Sequence, residues 1–168
     1  MKKLLLCIAI TLTTSANALD IKGIKADAPI DCQAMNKAGT PLIQGTDFCN
    51  HASTLYMVDA PFLSGIAKMT VSTNADKVVE SVHVFNFSYS EATAALTEKF
   101  GTPTIMTSVI QNGVGAKFDQ EIREWAKGSV TMRLQRHGSK INEPRLTLTG
   151  AIFSEKLKRE SAKGKGNI

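Results

Sequence analysis

The sequence lacks the short motifs by which most enzymes are recognised. It contains no G-x-S-x-G and no Gly-Lys-Ser/Thr, and its nearest approach to a phosphate loop, Asn112 to Gly115, has no strand-to-helix context. Nucleophilic catalysis needs a Ser or Cys beside a His that an acid orients. The three histidines lie in different local contexts, His51 in a loop, His83 in a strand and His137 in a turn. The sequence therefore predicts a partly buried His83, a solvated His137 and no catalytic histidine.

Cysteine is scarce as well. Cys7 lies in the apolar N-terminal run, which leaves Cys32 and Cys49 for the rest of the chain. There is no C-x-x-C redox motif, and His51 near Cys49 has no second ligand pair that would complete a zinc site. An even pair of cysteines in an exported chain favours a disulfide. We therefore expect a structural Cys32–Cys49 bridge, with neither a metal nor a cofactor.

The long apolar run of the sequence lies at its N-terminus and is too short to span a bilayer. Lys2 and Lys3 precede the run from Leu4 to Leu12, and Ala16-Asn17-Ala18 follows it as an A-x-A cleavage site. This order of charge, apolar core and small residues is typical of a secretory signal peptide. We therefore expect residues 1–18 to be removed and the rest of the chain to be periplasmic, without a membrane span.

Positive charge is in excess, but it is confined to the two ends of the chain. The formal net charge is +5, of which residues 1–18 supply two and residues 155–168 supply three, so residues 19–154 are neutral. A basic pI of this origin describes a tail and not a nucleic-acid-binding face. We predict that residues 154–168 are a disordered basic tail that makes weak contact with anionic surfaces and binds no specific nucleic acid.

A strand that runs directly into a capped helix organises the middle of the chain. The stretch from Val82 to Phe87 is rich in the β-branched and aromatic residues that pleated strands favour. Ser88 offers an N-cap oxygen, and apolar side chains then recur at helical spacing. Gly101 suits the C-cap and Pro103 prevents the helix from resuming.

The segments on either side of this unit predict one more helix and several short strands. Asp27 and Pro29 are expected to open the helix, and Gly39 to end it. Leu19 to Ile24 predicts a first strand, and Leu55 to Val58 a second strand that Pro61 terminates.

The part of the chain after Pro103 predicts strands joined by tight turns. Asn112-Gly113 is the clearest hairpin signal in the sequence. Together these segments predict a single α+β domain over residues 19–153. Its core is expected to be an antiparallel meander of about six strands with two helices packed on one face.

The order of these features resembles that of small exported proteobacterial proteins. The resemblance follows the pattern S-x-x-x-A-x-x-x-L-x-x-K-F-G-x-P, which ends at Pro103, then a Gly-interrupted strand pair and a lone Trp before a Gly turn. The supporting stretches are Glu91 to Pro103, Gly113 to Phe118, Trp125 to Gly128 and Leu134 to Leu148. The resemblance implies an α+β fold and carries no implication about chemistry.

Three carboxylates before the single tryptophan are the basis of an enzymatic hypothesis. Paired carboxylates are the minimum for glycan hydrolysis, and Asp119, Glu121 and Glu124 cluster before Trp125. The basic residues beside these carboxylates favour a surface cluster instead, because their charges can pair with the acidic ones. The alternative function is thus a hydrolase of a cell-wall or other periplasmic substrate.

A binding role agrees better with the composition. Strand alternation places Lys68, Arg133 and Arg145 on the solvent-facing side of the predicted meander, which is one possible contact surface. Trp125 would be an anchor if it were exposed, although a lone Trp is more often buried. We therefore expect a non-enzymatic interaction module of the inhibitor, immunity or assembly-accessory type, whose partner is another periplasmic or envelope protein.

Overall fold

A computed structural model describes residues 18–41, 54–138 and 140–165. Across these ranges the chain forms eight strands and three helices. In chain order the elements are α1 (Cys32–Ala38), β1 (Thr40–Pro41), β2 (Leu55–Phe62), β3 (Gly65–Thr73), β4 (Val79–Phe85), α2 (Tyr89–Phe100), β5 (Thr104–Gln111), β6 (Lys117–Lys127), β7 (Val130–Gln135), β8 (Arg145–Thr149) and α3 (Ala151–Lys165).

The strands of the described chain form one antiparallel sheet in the order β1-β2-β3-β4-β8-β7-β6-β5. Two meanders, β1 to β4 and β5 to β8, meet where β4 pairs with β8. At this junction Val82 lies opposite Leu148 and Val84 opposite Leu146. These four side chains are at most 1% exposed, so the junction of the two meanders is also the centre of the core.

The prediction of an α+β fold with about six strands and two helices was wrong. The described chain is mostly β, with an eight-stranded sheet and a third helix. The segment expected to be a loop from Thr40 begins with β1, and β2 continues through Pro61. Pro61 lies beyond the two residues of β2 that pair with β1, where β2 is an edge strand of the described sheet and tolerates proline. In place of the expected first strand, Ile21 and Ile24 make an isolated bridge.

The expected disulfide has one end among the described residues, because Cys32 is disulfide-bonded. Cys32 is the first residue of α1, and its predicted partner Cys49 lies outside the described ranges. The pairing of Cys32 with Cys49 in particular stays a prediction.

The core lies between the sheet and the helices α1 and α2. Strand alternation sends every second side chain to this face, and one row runs straight across five strands. Its members are Val58, Met69, Val84, Leu146 and Leu134, each at most 1% exposed. Met35 of α1 and Ala92 of α2 are fully buried against the same face. Both predicted helices therefore do cover one face of the sheet.

Helix α2 confirms the local prediction in detail. Ser88 has extended backbone angles and its Oγ accepts a hydrogen bond from the N–H of Glu91 at 3.4 Å. Gly101 follows the helix with φ +84°, a conformation that favours glycine. The strand, cap and stop signals were all local, which is why the sequence specified this unit correctly.

The cap predicted for the first helix was wrong, because the predicted residue caps a different helix. Asp31 is the N-cap of α1, and its Oδ1 accepts from the N–H groups of Gln33 and Ala34 at 2.9 and 3.0 Å. Asp27 instead caps α3, at the far end of the chain, where its carboxylate accepts from the N–H groups of Ala151 (2.6 Å) and Ile152 (3.1 Å).

Helix α3 itself replaces the disordered tail predicted from residue 154. The chain is helical from Ala151 to Lys165. Its start lies against the sheet, where Lys156 Nζ is 2.9 Å from Glu80 Oε2, and residues 154–161 are exposed. Gly150 is needed at the start of the helix, since a Cβ there would come within 2.2 Å of the Asp27 carboxylate.

Candidate functional site

The side of the sheet opposite α1 and α2, here called the outer face, carries polar side chains from several neighbouring strands. Two adjacent rows run across its central strands. The first row contains Met57, Thr70, His83, Thr147, Arg133 and Glu124, and the second contains Asp59, Lys68, Phe85, Arg145 and Gln135.

Three of the four residues predicted to form a contact surface lie on the outer face. Lys68 and Arg145 are both directly opposite Phe85, one on each side, and Arg133 lies in the neighbouring row. The fourth, Trp125, lies on the core face and is 4% exposed. Its Nε1–H donates to the carbonyl of Gly101 at 2.7 Å, so it fastens the end of α2 and is not part of this surface.

The two arginines of the outer face are held in different ways. The guanidinium of Arg133 donates twice to Glu124 Oε2, from Nε at 3.1 Å and from Nη2 at 2.7 Å. The guanidinium of Arg145 donates from the same two atoms to Gln135 Oε1, at 3.1 and 2.8 Å. Because an amide carries no charge, this contact orients Arg145 without neutralising it. Among the described residues no carboxylate forms an ion pair with Arg145.

His83 lies in the same row as Arg133, on the other side of Thr147, and is partly buried, as predicted. Its Nδ1 is 3.2 Å from Thr147 Oγ1, and its ring stacks on Phe85 with centroids 6.3 Å apart. Burial, and then the nearby charge of Arg145, lower the pKa of His83 below 6.5. The side chain is therefore neutral at pH 7 and does not add to the positive charge of the outer face.

The other two histidines give no catalytic group. The prediction that His137 is solvated was wrong: it is 8% exposed, and its Nδ1 accepts from the N–H of Asn142 at 3.2 Å. The side chain of Gln120 donates from Nε2 to the carbonyl of His137 and accepts at Oε1 from the N–H of His137, and these two hydrogen bonds fix the turn. His51 lies outside the described residues.

A groove of about 430 Å³ separates the outer face from the first turns of α3. Its floor includes Arg133, Arg145, His83 and Thr147, and its wall includes Phe153 and Leu157. Glu124 also lines the groove and is paired with Arg133, so the charge that is not neutralised there is that of Arg145. Hydroxyl groups and an apolar wall complete the lining. Such a lining favours a ligand that is acidic and partly apolar.

The three carboxylates of the hydrolase hypothesis do not converge on one site. Because Glu121 and Glu124 are three positions apart on β6, they point to opposite faces of the sheet. Glu124 bonds to Arg133 on the outer face, while Asp119 is exposed on the same strand. A glycosidase needs its two carboxylates to flank one substrate bond, and this arrangement does not provide that.

Glu121 lies on the core face at the start of α2. It accepts hydrogen bonds from Tyr89 Oη at 2.9 Å, from Arg123 Nε at 2.6 Å and from Arg136 Nη2 at 3.2 Å. Burial alone would raise the pKa of Glu121, but these hydrogen bonds and the two arginine charges outweigh burial and lower it. Glu121 therefore stays ionised and is not a proton donor.

A second cleft, of about 540 Å³, opens at the end of the sheet beside the start of α2. Phe62 and Phe87 meet there edge to face, with ring centroids 5.4 Å apart. Ser64 Oγ donates to Glu91 Oε2 at 2.6 Å. The described lining residues include no histidine or cysteine, and both of their carboxylates are engaged, Glu91 by Ser64 and Glu143 by Lys140 at 3.9 Å.

Within the described ranges, no group of three or more His, Cys, Asp or Glu side chains is arranged to hold a metal ion. No helix in those ranges is long and apolar enough to cross a membrane. No family model, curated protein or solved structure matches this chain. What the protein binds is therefore inferred from the chemistry of its surfaces alone.

Sequence reasoning missed the α3 side of the groove and misplaced one residue. Leu157 was assigned to a disordered tail because the residues around it are mostly basic, although its four-residue spacing from Phe153 is helical. Strand alternation in β6 would have put Trp125 with Glu121 on the core face, and Glu124 with Arg133 on the other.

Proposed function

We propose that this chain is an exported, periplasmic binding protein without enzymatic activity, which holds an envelope protein through its outer face. The observation that supports this proposal best is Arg145. Its guanidinium is oriented by Gln135, is not neutralised by any described carboxylate, and lies in a groove with an apolar wall. Arginines and aromatic side chains that are fixed in this way are the usual centres of binding energy.

The chemistry of the groove favours a particular kind of partner segment. A carboxylate entering beside Arg145 would form a charge-assisted, bidentate pair with the guanidinium edge that Gln135 leaves available. Thr147 would donate or accept from its hydroxyl, and Leu157, which is 49% exposed, would contact an apolar neighbour of that carboxylate. We therefore propose an acidic, partly apolar segment as the bound element.

Export is supported by the order of Lys2 and Lys3, the apolar run from Leu4 to Leu12 and Ala16-Asn17-Ala18. A periplasmic inhibitor, an immunity protein or an assembly accessory all act by surface contact, without transforming a substrate. The exposed, basic α3 adds Lys158 and Arg159 as a source of weak, salt-sensitive contact with anionic surfaces.

The test is a capture experiment with charge-reversal variants. The folded protein is immobilised and exposed to periplasmic extract of the organism that carries its gene, and bound proteins are identified by mass spectrometry. We expect Arg145→Glu to lose the protein that the unmodified chain captures. Lys37→Glu is the matched control, because Lys37 is exposed on α1, which covers the opposite face.

A second variant separates charge from fold. Arg145→Gln removes the charge and keeps a side chain that can reach Gln135, so its melting temperature should stay near that of the unmodified chain while capture is lost. Equal capture by the unmodified chain and by both Arg145 variants would rule out the outer face as the binding site.

A further inference from the structure

Strand β5 is an edge strand without any of the features that usually protect such edges. It pairs with β6 over eight consecutive residue pairs, and no other described strand lies along its second edge. Seven of its eight residues are exposed, so no described part of the chain covers either face of the strand. Natural sheets protect their edges with charges, proline, bulges or short strands. The sequence of β5, TIMTSVIQ, has neither charge nor proline, and its register is unbroken.

The other end of the described sheet looks different. There β1 is two residues long and ends at Pro41, which has no N–H to donate. The difference between the two edge strands indicates that the exposure of β5 is specific to this strand.

The side chains of β5 add apolar surface to this open edge. Ile105 is 50% exposed, Met106 40% and Val109 63%. Ile105 and Val109 point to one face and Met106 to the other, because successive residues alternate. A strand that is apolar on both faces favours a neighbour that continues the sheet rather than one that covers a single face.

The hydrogen-bond pattern identifies which backbone groups are directed outward. The N–H of Asn112 donates to the carbonyl of Ala116 at 3.0 Å, in register with the pairing of β5 and β6. Residues of an antiparallel strand bond alternately to one side and to the other. The N–H and C=O groups of Ile105, Thr107 and Val109 are therefore directed away from β6, toward the open edge.

We propose that β5 pairs with β5 of a second copy of this chain, in antiparallel register about a two-fold axis at Thr107. A two-fold axis perpendicular to the sheet keeps each residue on its own face, so Thr107 faces Thr107 and Ile105 faces Val109. These are the outward-directed residues, which complete each other's hydrogen bonds. On the other face Met106 meets Ser108 and Thr104 meets Ile110.

The chemistry of the strand supports a second copy as its partner. Thr–Thr and Ile–Val are favourable cross-strand pairs, and an uncharged strand meets no repulsion from its own copy. In the dimer the β5 edge of each copy is occupied by the other copy. The assembly therefore stops at two copies and does not extend into a fibre. One eight-residue strand buries less than a standard interface, so we expect a dimer that dissociates in the micromolar range.

Sedimentation velocity of the full chain at increasing concentration tests this proposal. We expect a monomer–dimer equilibrium for the unmodified chain, and Val109→Lys should weaken the dimer at least about tenfold because it places charge in two cross-strand pairs. Val114→Lys adds the same charge to the same hairpin at a position that is 89% exposed and outside the strand, so dimerisation should be unchanged. A chain that stays monomeric at all concentrations would overturn the proposal, as would an unaltered dimer in Val109→Lys.

A cross-linking experiment checks the register without depending on affinity. Directly opposed residues of a hydrogen-bonded antiparallel pair have Cα atoms about 5.5 Å apart, within the range that a disulfide spans. Thr107→Cys should therefore give a covalent dimer on oxidation, whereas Val114→Cys should not. If the two variants cross-link to the same extent, the two-fold axis does not lie at Thr107.

Discussion

The carboxylate of Glu121 has a structural role and not a catalytic one. Glu121 joins Tyr89, the first residue of α2, to two arginines of the sheet region. The guanidinium of Arg136 also lies over the ring of Tyr89, 5.3 Å from its centroid. Glu121 thus fixes the start of α2 against β6, which is a structural role.

This role predicts a pH-dependent contribution to stability. Glu121→Gln should lower the free energy of unfolding at pH 7 by about 1–2 kcal/mol, because two partly buried arginines lose their anionic partner. The lowered pKa means that the contribution is complete above pH 4.5 and is lost as the pH falls through the folded-state pKa. Urea denaturation at neutral and acidic pH would measure this difference.

The control for this experiment is the exposed neighbour on the same strand. Asp119→Asn should leave the free energy of unfolding within about 0.5 kcal/mol at either pH. A stability gap for Glu121→Gln that stays constant down to strongly acidic pH would contradict the assigned role.

Helix α3 depends on a cap from a distant part of the chain. Asp27 lies 124 residues before Ala151, yet its carboxylate bonds to the first two N–H groups of the helix. The position where Asp27 sits also has φ +57°, which Asp tolerates better than most residues. The N-terminal segment and α3 are therefore one structural unit.

Replacing this cap should loosen α3 selectively. Asp27→Ala removes the acceptor for two N–H groups, which typically costs about 1 kcal/mol of helix stability. Hydrogen exchange at Ala151 and Ile152 should accelerate several-fold, while exchange in α1 stays unchanged. Asp31→Ala is the matched control, because it should accelerate exchange at Gln33 and Ala34 and leave α3 protected. Equal acceleration of both helices in Asp27→Ala would point to global destabilisation instead.

The difference between a helix capped by adjacent residues and one capped by a distant residue explains how much of this fold the sequence could predict. α2 was predicted correctly because Ser88 and Gly101 act within a few residues of the helix they delimit. α3 was missed because its cap comes from Asp27, and no local pattern reports a contact across most of the chain. On the outer face, Lys68, Arg133 and Arg145 share a side by simple alternation, which the sequence shows. The groove over them needs α3 in place, which the sequence alone did not show.

The proposed export of the protein has a direct consequence for its N-terminus. The mature protein recovered from its native compartment should begin at Leu19, because Ala16-Asn17-Ala18 is the predicted cleavage site. Intact-mass spectrometry of that protein would show the loss of residues 1–18. Recovery of the chain with Met1 still present, in a membrane fraction, would contradict this prediction.

The position of β8 has a consequence for the order in which this protein can fold. Every other described strand precedes β8 in the chain, yet β8 lies between β4 and β7 and joins the two meanders. If the chain is exported as proposed, it emerges from the translocation pore N-terminus first and exposes the facing edges of β4 and β7 until residues 145–149 arrive. Such non-local pairing is slow, and unpaired strands are prone to wrong partners. The two meanders cannot join until β8 is available. We therefore expect aggregation, and the need for a chaperone, to be greatest in the interval before β8 emerges.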